Sequence, residues 1–579
     1  MADLPRPSLG SPSPQPSLSR GEGAGRARRQ QAAPRRAVVS RRRALGLLAT
    51  AGAAAALAAC DDTPSTASPT RPAAAARVIV TAPPSPTPSP TATPAPTPTA
   101  APTPTPTAEA TPRPALAGTP VPDDRRLSDE QAQSLLDGLL LDPTYPEAQV
   151  ELVAYMGTTG DERLISVLIE VLRAAQLGAF HPDAWDNARQ GLFQLTGEQH
   201  ESWAEWAEWY ARTDLTAVPG FGAWKGRIYS RIDPQFARFF DERAPRSIRF
   251  EEIVWGGVRL DGIPPLESAP MVAAESAAYL EPDDVVFGVA INGDYRAYPL
   301  RILDWHEMAN DVVGGEPVAL AYCTLCGAGV LFSRRYRGDV LSIGTSGFLM
   351  RSNKLMYDRG TFTLWNQLTG EPVLGPLAAD PGRLDVIPIV TTTWDAWRTA
   401  NPTTAVLSIN TGHRRDYSPG AAYGGYFAGP DLMFPAPTAD GLAPKDRVFA
   451  LVLGDSARAY AVADVVQARV LNDTVADQPV VLVALGEELT IDGIDRRRGN
   501  VSWSAGAAVR AFERAEREFA PGSEPRTVVD EQGTVWQVTE EALVRPDGAQ
   551  LARLPGHLAY WLGWSSFHPA TTLYGADQG

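Results

Sequence analysis

Two stretches of this chain spell one scaffold twice, and that repetition narrows the folds open to it more than any other feature. Asp284-Val285-Val286-Phe287 matches Asp446-Arg447-Val448-Phe449, and Arg296-Ala297-Tyr298 matches Arg458-Ala459-Tyr460. Asn310-Asp311 matches Asn472-Asp473 and Pro317-Val318 matches Pro479-Val480, every pair being 162 residues apart. Trp394, Trp397 and Pro402 match Trp561, Trp564 and Pro569 at a spacing of 167, and Trp365 and Trp536 correspond with small insertions between. A near-constant offset over so many positions marks an internal repeat rather than coincidence between similar units. The copies span about 284–410 and 446–576. Each reads as strand, turn, strand, short helix, further strands and a Trp-x-x-Trp helix. Short β-branched and aromatic runs broken by Gly, Pro and Asp begin at about Gly220. They predict an α+β, mainly β, body over 220–579, with the copies packed about a pseudo-two-fold axis.

The copies differ where chemistry is expected. His306 falls opposite Ala468, Cys323 opposite Leu485 and Cys326 opposite Glu488, while His568 falls opposite Asn401. Residues that only hold up a scaffold would recur in both copies. Residues that serve one site need not.

Cys323 and Cys326 lie in the run Pro317–Val330, PVALAYCTLCGAGV. Apolar segments enter and leave the pair, and Gly327 suits a tight turn with positive φ. This predicts a knuckle between two strands with both sulfurs on one side, not a helix-borne pair. Such a knuckle can bind a soft metal, copper or zinc, or act as a redox dithiol, or close as a disulfide. A four-cysteine zinc site is excluded, because the chain's one other cysteine is Cys60. Further ligands would come from His306, His568, Glu307 or Met356. His306, in Asp304-Trp305-His306-Glu307, is expected on a short helix, as a ligand, a proton carrier or a packed histidine. His568 reads first as a helix-terminus residue and second as a ligand, and His413 and His557 have weaker claims. Within Gly344–Gly370, the polar and aromatic residues Met356, Tyr357, Asp358, Arg359, Trp365 and Gln367 suit a cleft wall, to which Glu307 is a further candidate. Asp358 and Arg359 could instead form a structural ion pair. The segment 414–435, with Tyr423 and Tyr426, is long for a connector and is expected to cover the cleft.

Ahead of the body the pattern is helical. Gln131–Leu141, Glu147–Gly157, Arg163–Leu177, Asp183–Leu195 and Glu201–Thr213 carry apolar residues at three- and four-residue spacing, predicting a small all-α, HEAT-like domain over 126–215. Trp203, Trp206 and Trp209 form a row expected to pack in a core or between domains. Residues 60–125, rich in Pro and Thr, cannot bury a core and predict an extended stalk or tether.

Residues 1–59 carry ten Arg against Asp3 and Glu22, a net of +8 that leaves −23 for the rest of a chain whose formal charge is −15. An acidic body argues against nucleic acid as a partner. Ser40-Arg41-Arg42-Arg43 precedes the apolar run Ala44–Ala59, and Leu57-Ala58-Ala59-Cys60 resembles the lipobox of bacterial lipoproteins. That resemblance implies cleavage before Cys60, a lipid on its thiol, and an extracytoplasmic protein anchored to the membrane. The twin arginines resemble a Tat signal, with an ordinary Sec signal as the alternative.

Tyr322-Cys323-Thr324-Leu325-Cys326-Gly327, His306-Glu307, Asn310-Asp311, Met356-Tyr357-Asp358-Arg359, Trp365-x-Gln367 and His568-Pro569 occur in this order. Together they resemble domain-of-unknown-function family 3179 over about 245–576, with Thr324 where that family usually has Pro. The resemblance implies no activity. No phosphate loop, zincin helix or nucleophile elbow is legible, so whether the chain is an enzyme stays open. The expectation is one asymmetric Cys/His site that binds metal or does thiol redox chemistry. The rival is a non-catalytic module for a glycan, peptide or protein, with a structural disulfide or zinc knuckle.

Overall fold

The structure is a computed structural model that describes residues 126–140, 146–380, 382–434 and 436–575. The signal expected over 1–59, Cys60 and the stalk to residue 125 lie outside the described residues.

The helical region comprises α1 (Asp129–Leu139), α2 (Pro146–Thr158), α3 (Ile165–Gln176), α4 (Asp183–Thr196), α5 (Trp203–Ala211) and α6 (Phe221–Tyr229). Ser128 with Gln131 and Ser202 with Glu205 form capping boxes that start α1 and α5, satisfying backbone donors that a helix start leaves free. Helices α2 and α4 meet at Gly157 and Gly191, where a Cβ on Gly157 would stand 2.3 Å from the Gly191 Cα. Only a residue without a side chain allows that approach.

The helical region continues to Tyr229 instead of ending near residue 215. Phe221, Trp224, Lys225 and Ile228 fall on one buried face of α6, a three- and four-residue spacing that the Gly-rich text around it obscures. α6 also supplies a buried ion pair, Lys225 Nζ to Glu170 at 2.9 Å, and Tyr229 donates to the same carboxylate at 2.6 Å. The tryptophan row is split between two roles. Trp203 meets Phe434 of the body edge-on, 6.5 Å between ring centroids, and Arg173 lies over both rings. Trp206 is buried within the helical region against His200.

The body is mostly β. After short strands at Ile253–Trp255, Leu266–Glu267 and Met271–Ala273 come β1 (Val285–Ile291), β2 (Asp294–Pro299), α7 (Leu300–His306), β3 (Met308–Val313), β4 (Glu316–Cys323) and β5 (Ala328–Ser333). Next come β6 (Ile343–Met350), β7 (Asn353–Asp358), β8 (Leu364–Asn366), β9 (Val390–Thr393), α8 (Trp394–Ala400) and β10 (Ala405–Leu407). The second half runs β11 (Arg447–Leu453), β12 (Ser456–Ala461), α9 (Val462–Ala468), β13 (Val470–Val475), β14 (Gln478–Asp495) and β15 (Gly499–Glu513). It closes with β16 (Gly556–Tyr560), α10 (Trp561–Phe567) and β17 (Thr572–Leu573).

The halves pair their strands in matching registers. Val286 faces Pro299 in the β1–β2 hairpin, and Val448 faces Ala461 in β11–β12, each 162 positions further on. Thr393 faces Val285 as Tyr560 faces Arg447. Ala405 joins Arg296 in parallel as Thr572 joins Arg458. Side-chain bonds match too. Tyr298 donates to Asp311 at 2.8 Å and Tyr460 to Asp473 at 2.8 Å. Trp397 donates to Thr404 and Trp564 to Thr571, each at 2.8 Å.

Candidate functional site

The cysteine knuckle joins β4 to β5. Cys323 ends β4, and Gly327 turns the chain with φ of +55°. Both thiols are free and buried, at 1% and 0% exposure. Their sulfurs converge on one backbone oxygen: Cys326 Sγ lies 3.4 Å and Cys323 Sγ 3.8 Å from Ser352 O. Ser352 sits in the turn between β6 and β7, where Arg351 and Ser352 both have positive φ. Asn353 Nδ2 donates to Cys326 Sγ at 3.6 Å and to Gln367 Oε1 at 2.8 Å. Gln367 in turn donates to Ala321 O and Ala328 O, clamping both strands of the knuckle.

The second half closes over this turn. Tyr560 N donates to Cys326 O and Arg447 to Gly327 O, both at 2.7 Å. On α10, a Cβ at Gly563 would stand 2.8 Å from Cys326 Cβ and 3.0 Å from its sulfur. From the connecting segment, Tyr426 donates to Leu325 O at 2.7 Å.

Two charged side chains flank Cys323. Lys354 Nζ donates to Glu307 O at 2.5 Å and lies 3.6 Å from the Glu307 carboxylate. Thr324 donates to that carboxylate at 3.1 Å. Glu307 and Lys354 line a small cleft of about 40 Å³ with Leu325, Ser346, Tyr423 and Phe434, enough for a few waters. Burial raises the Glu307 carboxyl above its usual range, against the pull of Lys354, Thr324 and Tyr423. Burial lowers the Lys354 ammonium, against Glu307 and Cys323. Asp304, also buried, is held well above the usual carboxylate range by burial and then by Glu307, against Arg447. Its Oδ1 has no hydrogen-bond partner among the described residues.

The thiols are unequal. Burial opposes a Cys323 thiolate, but hydrogen bonds from the Cys326 side chain and from the backbone of Lys354 and Cys326 outweigh it and lower this thiol. Burial, then the neighbouring Cys323, push the Cys326 thiol well up. A buried pair titrates as a unit, and here its first proton leaves most readily from Cys323.

The other expected residues are placed elsewhere. His306 is the last residue of α7 and fully buried, with Nδ1 at 2.8 Å from Pro264 O and Nε2 at 2.6 Å from Tyr417 Oη. A carbonyl only accepts, so Nδ1 carries the proton and Nε2 accepts from Tyr417. Burial lowers this imidazole to about 4, and neither nitrogen is free to ligate. His568 caps α10 and stacks on Trp564 at 4.0 Å. Its neighbour His557 lies 5.6 Å from the same indole, and burial lowers them to about 4 and 3 respectively. Met356 and Trp365 are core residues of one apolar cluster. Tyr357 donates to Asp261, and Arg359 pairs with Asp261 and Glu267, so Asp358 and Arg359 are not each other's partner. Asp358 accepts from Thr361 and from the Trp365 indole instead. Of the expected cleft wall, Glu307 lines the cleft and Gln367 braces the knuckle.

Among the described residues no group of three or more His, Cys, Asp or Glu side chains is placed to hold a metal ion. No helix among them is long and apolar enough to cross a membrane. Sequence reasoning missed Lys354 and Asp304. Both carried a signal: Lys354 is a lone cation in a strand buried on both faces, and Asp304 follows Leu300 by four on the apolar face of α7.

The model of one protein family, described as a protein of unknown function (DUF3179), matches residues 260–571. That span takes in the knuckle, Glu307 and Lys354 of the cleft, the corresponding strands up to β16, and His568. No curated protein and no solved structure matches the chain. On the strength of the family match, which covers more than half of its length, the chain belongs to DUF3179.

Proposed function

We propose that Cys323 and Cys326 form a thiol-redox centre in an extracytoplasmic, lipid-anchored protein. The observation that carries this reading is two free, buried thiols in one strand-joining turn, their sulfurs 3.4 and 3.8 Å from the same Ser352 oxygen; the low-held Cys323 and high-held Cys326 support it. A dithiol works through one attacking thiolate and one resolving thiol. Cys323 as thiolate attacks one sulfur of a partner disulfide and expels the other as a thiolate. Cys326 then loses its proton, attacks the Cys323 sulfur and releases the second partner thiolate. Two electrons pass to the partner, which takes up protons to become two thiols, and the chain is left with a Cys323–Cys326 disulfide.

The metal reading has less support, because His306, His568 and Met356 are engaged away from the sulfurs. The matching registers support reading 284–410 and 446–576 as copies of one ancestral unit, specialised in the first. The succession of packed helices supports a HEAT-type reading of the N-terminal region. Anchoring rests on the lipobox resemblance at Cys60.

The test is an equilibrium titration in glutathione buffers of graded potential, with free thiols counted after acid quench. A single two-electron transition, in which both thiols disappear together, is expected. Thiols that stay reduced at every potential while one equivalent of copper or zinc co-purifies would replace this reading with a metal centre.

A further inference from the structure

We infer that Glu307 is the proton-exchange group of the dithiol: seated between Lys354 and the small cleft, it releases a proton to cleft water when the pair is oxidised and regains one on reduction. The inference rests on the redox reading of Cys323 and Cys326.

The scaffold dictates the backbone at this position but not the acid. Glu307 has φ of +53°, its N–H donates to Leu303 O, and its carbonyl accepts from Tyr322 N. The corresponding residue 162 positions on is Arg469, with φ of +60°. Its N–H donates to Val465 O and its carbonyl accepts from Ala484 N. Both halves therefore keep the same left-handed corner after a short helix, and only the half with the cysteines places a carboxyl there.

That carboxyl is surrounded by groups whose charge matters. Asp304 faces it from α7, Cys323 and Cys326 from the knuckle, Lys354 from β7 and Tyr423 from the connecting segment. Arg447 acts on Asp304. The His306 ring is turned to Pro264 and Tyr417. A thiolate at Cys323 and a carboxylate at Glu307 oppose one another, as the raising effect of Glu307 on both thiols records. The opposition is mutual, because coupling between two sites is reciprocal. Oxidation replaces thiolate and thiol by a neutral disulfide, and Lys354 loses the anionic neighbour it had at Cys323. Glu307 then ionises against Lys354. Oxidation thus releases the Cys326 proton and the Glu307 proton with two electrons, and a partner disulfide that takes both becomes two thiols.

The test is the pH dependence of the midpoint potential near neutrality, for the wild-type chain and Glu307→Gln, with the Cys323 thiolate verified by its ultraviolet absorbance. Two protons per two electrons give about 60 mV per pH unit and one proton gives about 30 mV. The wild type is expected near the first value and Glu307→Gln near the second. Equal slopes overturn the inference while leaving the dithiol intact. Absence of any reversible couple in either protein would overturn the redox reading itself. Should Glu307→Gln fail to fold, proton release from the wild type on oxidation by ferricyanide, which takes electrons without protons, decides the matter. Two protons per disulfide support the role of Glu307, and one overturns it.

Discussion

Replacing Cys323 with serine is expected to reduce the reaction with a small aromatic disulfide to the uncatalysed background, whereas Cys326→Ser keeps the first step and stops there. The difference follows from the surroundings of each sulfur. Cys323 receives hydrogen bonds from Cys326 and from the backbone of Lys354 and Cys326, and Lys354 is near enough for the two to influence each other's charge. A thiolate is the nucleophile in disulfide exchange, and a serine hydroxyl does not ionise in its place. With Cys323 gone, Cys326 stays a thiol, because burial holds it protonated. With Cys326 gone, Cys323 can still attack but nothing displaces the partner, and the mixed disulfide persists. Intact-mass spectrometry checks this outcome: one adduct per chain in Cys326→Ser, none in Cys323→Ser, and a two-hydrogen mass loss without adduct in the wild type.

The second large effect is on stability and lies away from the cysteines. Glu540→Gln is expected to destabilise the fold by about 3–5 kcal/mol, the usual cost of leaving buried charge without its partner. Arg510 binds Glu540 through both oxygens, at 2.7 and 3.0 Å, and Arg526 and Arg553 approach it at 3.0 and 3.3 Å. Side-chain exposure is 5% for Glu540, 2% for Arg510 and 4% for Arg553. Burial alone would raise this carboxyl, but the three guanidinium groups hold it far below the usual range. A native value below the unfolded one means the stabilisation is present at neutral pH and is lost as pH falls through the native value. The amide keeps the shape but leaves three cations facing each other. Arg553 also donates to Ile389 O, so the damage reaches the seam between the halves. Urea unfolding at neutral pH measures the loss. The exposed pair Arg545–Asp547 is the control, since Asp547→Asn removes only a solvent-screened contact.

Much of the fold was legible because the chain carries its own comparison. The repeated Arg-Ala-Tyr, Asn-Asp and Trp-x-x-Trp segments fall on strands and helices that pair in matching registers, and the 162- and 167-residue spacings are those of the strand partners themselves. The knuckle was legible because Gly327 follows the second cysteine and takes the positive φ a tight turn requires. Tyr423 and Tyr426 were marked as a cover, and one lines the cleft while the other bonds to Leu325 O.

What the sequence hid is what depends on long-range placement. His306 looked like a ligand because it is reactive, near the cysteines and missing from the other half. Its ring is instead spent on Pro264 and Tyr417, 42 and 111 residues away in the chain. Met356 and Trp365 share a polar-looking segment with Asn353 and Lys354, yet they face each other across β7 and β8 and pack in an apolar cluster. The partner of Lys354 was hidden because no local pattern says that a buried lysine will meet a carboxylate, Glu307, 47 residues away. Gly563 was similarly mute: its lack of a side chain is what lets α10 rest against Cys326.

The most direct measurement is limiting alkylation of the fully reduced, folded chain at neutral pH, with the label mapped by peptide mass spectrometry. The account predicts that Cys323 takes the first equivalent and that Cys326 is labelled only after unfolding. Equal labelling of the two thiols, or first labelling of Cys326, would contradict it.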